Sequence, residues 1–254
     1  MNAPSFGGAS VTMPMKLPII PLLHHLSDPA KAIGAVNTVV PKTDPATGQR
    51  IFYGDNTDWL AIRDLTSKTL AQVDASIDTE LVTADHGPLT GLILGAGGTS
   101  RAAIYALHHI GVKVIYIYNR TPANIVKLID TFPREFNLVP LTSLDQFPLG
   151  LPRVVINTIP AENTTTSKAE IAAGASKTFI PETVLAMKPA GVLVDLSYKP
   201  RVTPLSMMAE EKGWAFIGGL EILLQQGYHQ FKLWTGKEAP EAEIVEAVRA
   251  VDAA

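Results

Sequence analysis

Residues 91–98, Gly-Leu-Ile-Leu-Gly-Ala-Gly-Gly, constrain this chain more than any other stretch. A short apolar run, Leu92-Ile93-Leu94, meets a glycine cluster, and a helical pattern follows at once. That layout of strand, tight turn and helix start is the one that holds a phosphate in dinucleotide sites. Gly95 permits the turn, and Gly97 lets backbone approach a pyrophosphate. The helix start offers unpaired N–H groups and a partial positive charge. A second apolar run, Val114 to Tyr118, closes a strand-helix-strand unit of about thirty residues. A glycine loop alone is weak, since it also caps ordinary helices of α/β proteins, but here the flanking elements supply its context. Ser100 stands at the third small position of the pattern, and no Lys-Ser or Lys-Thr follows the glycines, which argues against a triphosphate loop. Gly95, Ala96, Gly97 and Gly98 are therefore expected to bind a dinucleotide.

The residues after the second strand choose the cofactor. An acidic residue there would bind a ribose 2′-hydroxyl, whereas an Arg accommodates a 2′-phosphate. This chain has Asn119-Arg120-Thr121. The expectation is NADP, with Arg120 on the phosphate and Asn119 and Thr121 adding donors without negative charge. The bland alternative is that Arg120 is an ordinary surface cation.

The chain has 254 residues, 46% of them hydrophobic and 18% charged, enough to bury a sizeable core. Its net charge of -3 carries no electrostatic footprint for nucleic acid or an anionic membrane. Cysteine is absent, which excludes disulfides and thiolate metal sites. No signal-peptide pattern and no membrane-length apolar run is present, so a cytoplasmic protein is expected.

Along the chain, residues 9–12 predict a short strand, and Leu17 to Leu26 an apolar helical or irregular segment. His24 and His25 point apart on a helix and make a poor metal pair, so no metal is expected. Two apolar runs, residues 35–40 and 51–54, flank a turn-rich loop and predict a hairpin. A helix should start near Trp59, with Thr57 or Asp58 as its cap, and the polar stretch 74–88 reads as a linker. From residue 89 to 217 strands and helices alternate, with strands expected at 136–139, 154–158, 191–196 and 214–217. This implies an α/β, doubly wound parallel Rossmann sheet with Asn157 and Asp195 at strand ends, where ligands bind. Two last helices, around 220–231 and from Pro240, should return toward the N-terminal segment. The expected domains are 1–86 for substrate and catalysis, 87–217 for NADP, and 218–254 as the returning helices.

Six motifs follow in order: Ala9-Ser-Val-Thr-Met-Pro-Met-Lys16, Gly34-Ala-Val-Asn37-Thr38, Gly54-Asp-Asn-Thr-Asp58, Gly95-Ala-Gly-Gly98, Asn119-Arg120-Thr121 and Gly219-Leu-Glu-Ile-Leu-Leu-Gln-Gln226-Gly. Together they resemble the shikimate dehydrogenase family across essentially the whole chain from Phe6 onward. Wording such as Tyr198-Lys-Pro-Arg-Val-Thr-Pro and Phe231-Lys-Leu-Trp-Thr-Gly is most similar to the dehydrogenase module of the fungal pentafunctional arom polypeptide and to quinate-repressor relatives. The resemblance implies NADP-linked, reversible reduction of 3-dehydroshikimate to shikimate. It implies Lys16 as catalytic lysine and Asp58 as its partner, with Thr12, Asn37 and Gln226 on substrate hydroxyls. It places Tyr198 near the substrate carboxylate and Gly219 beside the nicotinamide.

The chain also departs from the family pattern. A strand, a helix and a Ser-x-Ser carboxylate motif that normally precede the lysine are not in it. An N-terminally truncated, incomplete substrate domain is therefore expected, as is a place within a larger multidomain polypeptide. Ser10 stands where many bacterial relatives have a substrate-binding Asn. Asn124 replaces a second phosphate-binding Arg, and Asn157-Thr-Ile-Pro160 follows the family's nicotinamide loop only loosely. These departures leave three readings open: a shikimate or quinate dehydrogenase, a non-catalytic quinate- or shikimate-sensing module of repressor type, and an inactive NADP-binding remnant.

Overall fold

The computed structural model describes residues 1, 3–76, 88–186 and 190–252. The first part of the chain builds a four-stranded sheet. Its strands are β1 (Ala9–Ser10), β2 (His25–Leu26), β3 (Thr38–Thr43) and β4 (Arg50–Asp55), in the order β1-β3-β4-β2. β3 and β4 form the expected antiparallel hairpin, with Val39 opposite Gly54 and Lys42 opposite Ile51. Residues 17–26 depart from the expected helical or irregular segment only at their end. They make a 3-10 turn at Ile20–Leu22 and then β2, which runs parallel to β4. His24 causes the difference, because its backbone N–H donates to Phe52 O at 2.9 Å and its ring Nδ1 accepts from Phe52 N at 3.0 Å. Tertiary pairing thus overrides local apolar periodicity.

Helix α1 (Asp28–Ile33) was not foreseen, although its signals are plain in retrospect. Ser27 Oγ accepts from Ala30 N–H at its start, and Gly34 ends it at φ 67°. Helix α2 (Asp58–Ser76) then carries the chain from the small sheet to the large one. It absorbs the first residues of the expected linker, Asp74 to Ser76. Residues 77–87 of that linker, and with them the domain boundary at 86/87, lie outside the described residues.

The second sheet has six strands: β5 (Thr90–Leu94), β6 (Val114–Tyr118), β7 (Leu138–Leu141), β8 (Val154–Asn157), β11 (Val192–Asp195) and β12 (Ala215–Ile217). Helices α3 (Gly98–Ile110), α4 (Pro122–Ile129) and α6 (Pro204–Glu211) connect them. A two-stranded parallel unit, β9 (Thr164–Thr165) and β10 (Thr178–Phe179) with α5 (Lys168–Ala172) between, is inserted after β8. The strand order is β12-β11-β8-β5-β6-β7, and every neighbouring pair is parallel. This is the doubly wound Rossmann arrangement, and the order reverses between β5 and β8.

The central strands are buried on both faces, which explains their unbroken apolar runs. Ile93, Ile117, Ile156 and Val194 pack with Ile62 of α2, Ala103 and Leu107 of α3, and Leu128 of α4. Leu92, Leu94, Val155 and Leu193 face the other way, onto Leu205 and Met208 of α6. Each such side chain contributes about 1.5–3 kcal/mol by leaving water. Two helices follow the sheet, α7 (Gly219–Thr235) and α8 (Glu241–Asp252). α7 returns to the small sheet, where Trp234 Nε1 donates to Val39 O at 3.0 Å. No helix among the described residues is long and apolar enough to cross a membrane.

Candidate active site

Three segments meet where the sheets adjoin: the turn after β1, the start of α2 and the glycine turn of α3. Lys16 comes from the turn after β1, and its backbone is held by Val36 N–H on Lys16 O at 2.8 Å. Asp58 is the first residue of α2. Lys16 Nζ lies 2.6 Å from Asp58 Oδ2, and the two side chains are only 12% and 11% exposed. Lys16 Nζ also donates to Thr99 Oγ1, in the first turn of α3, at 3.2 Å. A buried ammonium and carboxylate of this kind are tolerable because they are paired and hydrogen-bonded.

The cap of α2 falls to neither Thr57 nor Asp58 alone. Asn56 Oδ1 accepts from Asp58 N–H at 3.0 Å, while Asn56 Nδ2 donates to Ala35 O at 3.0 Å. The Asp58 carboxylate is thereby left for other partners. Its second oxygen, Oδ1, accepts from Asn37 Nδ2 at 2.8 Å. The same Nδ2 reaches Thr57 Oγ1 at 2.9 Å and Gln226 Oε1 of α7 at 3.2 Å. Lys16, Asp58, Asn37 and Gln226 are thus gathered in one polar cluster. Thr12 is exposed in the turn leading to Lys16, its carbonyl accepting from Met15 N–H at 2.8 Å. Tyr198, half exposed, shares a recess of about 90 Å³ with Ser197, Gly218, Gly219 and Glu221.

At the glycine turn, Gly95 has φ 113° and its N–H donates to Tyr118 O at 2.8 Å. A side chain there would also collide with Thr158 Oγ1. Gly97 donates its N–H to Ser100 Oγ at 3.0 Å. Thr158 donates its only hydroxyl hydrogen to Leu94 O at 2.8 Å, so across the 2.8 Å contact between the two hydroxyls Ser100 must be the donor. One orphan amide is thereby satisfied, while those of Gly98, Thr99 and Ser100 precede the first intrahelical bond and face outward along the axis. Nothing lies within 4 Å of a Cβ placed on Gly97. The turn is therefore an open, donor-rich cradle that fits a pyrophosphate.

Arg120 is exposed beyond β6, and its Nη1 donates to Ser176 O at 2.8 Å and Ser176 Oγ at 3.0 Å. Asn119 Nδ2 closes on Thr121 O at 3.0 Å. Gly219 is buried, and a Cβ there would come within 2.6 Å of Leu196 O and the Ser197 backbone. The start of α7 can approach the end of β11 only through a glycine. Beside it, Asp195 is buried but fully engaged. Its Oδ1 accepts from Asn157 Nδ2 at 3.0 Å and Ser197 N–H at 3.1 Å, and its Oδ2 from Thr203 Oγ1 at 2.7 Å. Thr99, Thr38, Ser176 and Gln230 were not foreseen. Thr38 and Gln230 left traces, the first as the last residue of the Asn37 motif and the second one helical turn beyond Gln226. A cavity of about 620 Å³ between α2 and α6, lined by Val73, Met207, Trp214 and Phe216, shares Arg201 and Phe216 with the recess at Tyr198.

Three family models match the chain: the shikimate dehydrogenase substrate binding domain over residues 1–39, shikimate / quinate 5-dehydrogenase over 82–202, and the shikimate 5′-dehydrogenase C-terminal domain over 219–249. The pentafunctional AROM polypeptide of Mycosarcoma maydis is 42% identical over 267 residues, an alignment that takes in 96% of this chain and 15% of that protein. The chain therefore spans about a seventh of the length of the curated relatives it matches. Among solved structures, dehydroquinate dehydratase and shikimate dehydrogenase from S. pombe AroM is 37% identical with a TM-score of 0.72, over 96% of this chain and 43% of that one. Shikimate 5-dehydrogenase from Thermus thermophilus, solved in complex with NADP(H) and shikimate, is 30% identical with a TM-score of 0.68, over 97% and 80% of the two chains.

Proposed function

The chain belongs to the shikimate dehydrogenase family, and on that premise we propose that it catalyses the NADP-linked, reversible interconversion of 3-dehydroshikimate and shikimate. The observation that carries this reading is the 2.6 Å pair of Lys16 and Asp58 set against the first turn of the glycine-loop helix. Lys16 holds a proton at Nζ and can pass it to, or take it from, a substrate oxygen within reach. Asp58 orients the ammonium with one oxygen, and Asn37 fixes the other oxygen of Asp58. Thr12, Gln226 and Tyr198 offer hydroxyl and amide groups for a polyhydroxylated ring bearing a carboxylate. The amides of Gly98, Thr99 and Ser100 would hold the cofactor pyrophosphate, Arg120 the 2′-phosphate, and Gly219 would leave room at the nicotinamide. NADP, when bound, supplies the hydride acceptor.

The test is absorbance at the reduced-nicotinamide band with shikimate and NADP, repeated with quinate and with NAD. Turnover is expected with shikimate and NADP, and Lys16→Ala should abolish it while NADP binding stays nearly intact. Equal loss of turnover and cofactor binding would remove the role given to Lys16. NADP bound by the unaltered protein without turnover would overturn the enzymatic reading, and shikimate or quinate binding would then favour a sensing module over an inactive NADP-binding remnant.

A further inference from the structure

Gln230 lies on α7 one turn beyond Gln226, is only 3% exposed, and meets the residues assigned to the reaction only at the backbone carbonyl of Asn37. Its Nε2 donates to Thr38 Oγ1 at 3.1 Å, to Asn37 O at 3.1 Å and to Ser10 Oγ at 3.2 Å. A backbone carbonyl only accepts, so the nitrogen, not the oxygen, of the Gln230 amide must face it. Thr38 Oγ1 lies 2.6 Å from Asn37 Oδ1 and spends its one hydrogen there. Thr57 N–H, which can only donate, also points at Asn37 Oδ1, at 2.8 Å. With its oxygen taken by two donors, Asn37 must turn its NH₂ to Asp58 Oδ1 at 2.8 Å. Every link is fixed in sense, from α7 through β3 to the carboxylate.

We propose that Gln230 and Thr38 are positioning residues for the Lys16–Asp58 pair, acting through the orientation of the Asn37 amide. The proposal rests on the dehydrogenase reading for its kinetic consequence and not for its structural one. A reversed Asn37 amide would present an oxygen to the Asp58 carboxylate, setting two acceptors against each other in a buried site where the loss is not recovered from water. The chain also gives α7 a reason to carry two glutamines at i and i+4: Gln226 reaches Asn37 and Thr57, and Gln230 holds the backbone and hydroxyl behind them.

Thr38→Val keeps the shape of the side chain and removes the hydroxyl, whereas Thr38→Ser keeps the hydroxyl. The first reading is the side-chain amide signal of Asn37 in ¹H–¹⁵N spectra of the ligand-free protein, identified by its loss in Asn37→Asp. It is expected to shift and exchange faster with water in Thr38→Val and to return in Thr38→Ser. The second reading is kinetic: kcat for shikimate oxidation should fall about tenfold in Thr38→Val with KM for NADP within about twofold, and Thr38→Ser should restore it. An unchanged Asn37 signal, or a changed signal with unaltered kcat, overturns the proposal. If Thr38→Val does not fold, Gln230→Met is read in the same two ways. Absence of turnover in the unaltered protein would refute the dehydrogenase reading, and the Asn37 signal would then decide the positioning by itself.

Discussion

Asp58 is free for chemistry because its neighbour does the capping. Asn56 is fully buried, and its amide serves Asp58 N–H with the oxygen and Ala35 O with the nitrogen. Asn56→Ala would orphan both groups and should lower stability by about 1–3 kcal/mol, read by urea denaturation. An undiminished midpoint would mean that water replaces the side chain. Arg120→Asp should move the ratio of kcat/KM values from NADP toward NAD, since a carboxylate repels the 2′-phosphate and accepts from a ribose hydroxyl. An unchanged ratio would place the phosphate elsewhere. Lys16 and Asp58, 2.6 Å apart in the fold, each read alone as a surface charge, and only the motifs around them drew attention to the two in the sequence. Thr99 and Ser176 could not be picked out, because a lone hydroxyl has no spacing to read, and its partner is fixed only when distant segments meet. The contact of Arg120 with Ser176, for one, spans 56 positions of sequence.

Among the elements, α3 has the most exposed thermodynamic signature. Burial holds the His108 imidazole below its ordinary value of 6.5, and His109 adds to the effect, with Glu135 opposing and Lys113 assisting. The ring stacks on Phe136 at 4.1 Å between centroids. A depressed folded value means that the unfolded chain binds the proton more readily. The contribution is therefore present above 6.5 and is lost as pH falls through the lowered folded value. His108→Gln should flatten the fall in melting temperature between about pH 7 and about pH 5, and an unaltered slope would assign the dependence to other groups. The central strands of the large sheet, β5, β6, β8 and β11, were readable because burial on both faces leaves unbroken apolar runs, as in Leu92-Ile93-Leu94. β9 and β10 have two residues each, too few for any period, and β2 exists because His24 pairs with Phe52.

At the scale of the molecule, α2 is the piece that relates the two sheets. It begins at Asp58 beside Lys16, packs Ile62 and Leu70 into the core of the large sheet, and ends near Asp74, which pairs with Arg153 at 2.5 Å just before β8. Its nineteen residues span roughly 28 Å, so the helix runs from the ligand edge of the sheet to the opposite edge. A rod pinned at both ends sets an angle as well as a distance. One residue added to its middle would turn Asp58 by about 100° relative to Asp74 and advance it by about 1.5 Å, enough to point the carboxylate away from the lysine. The number of residues in α2 is thus itself an active-site parameter, set by side chains that never approach the chemistry.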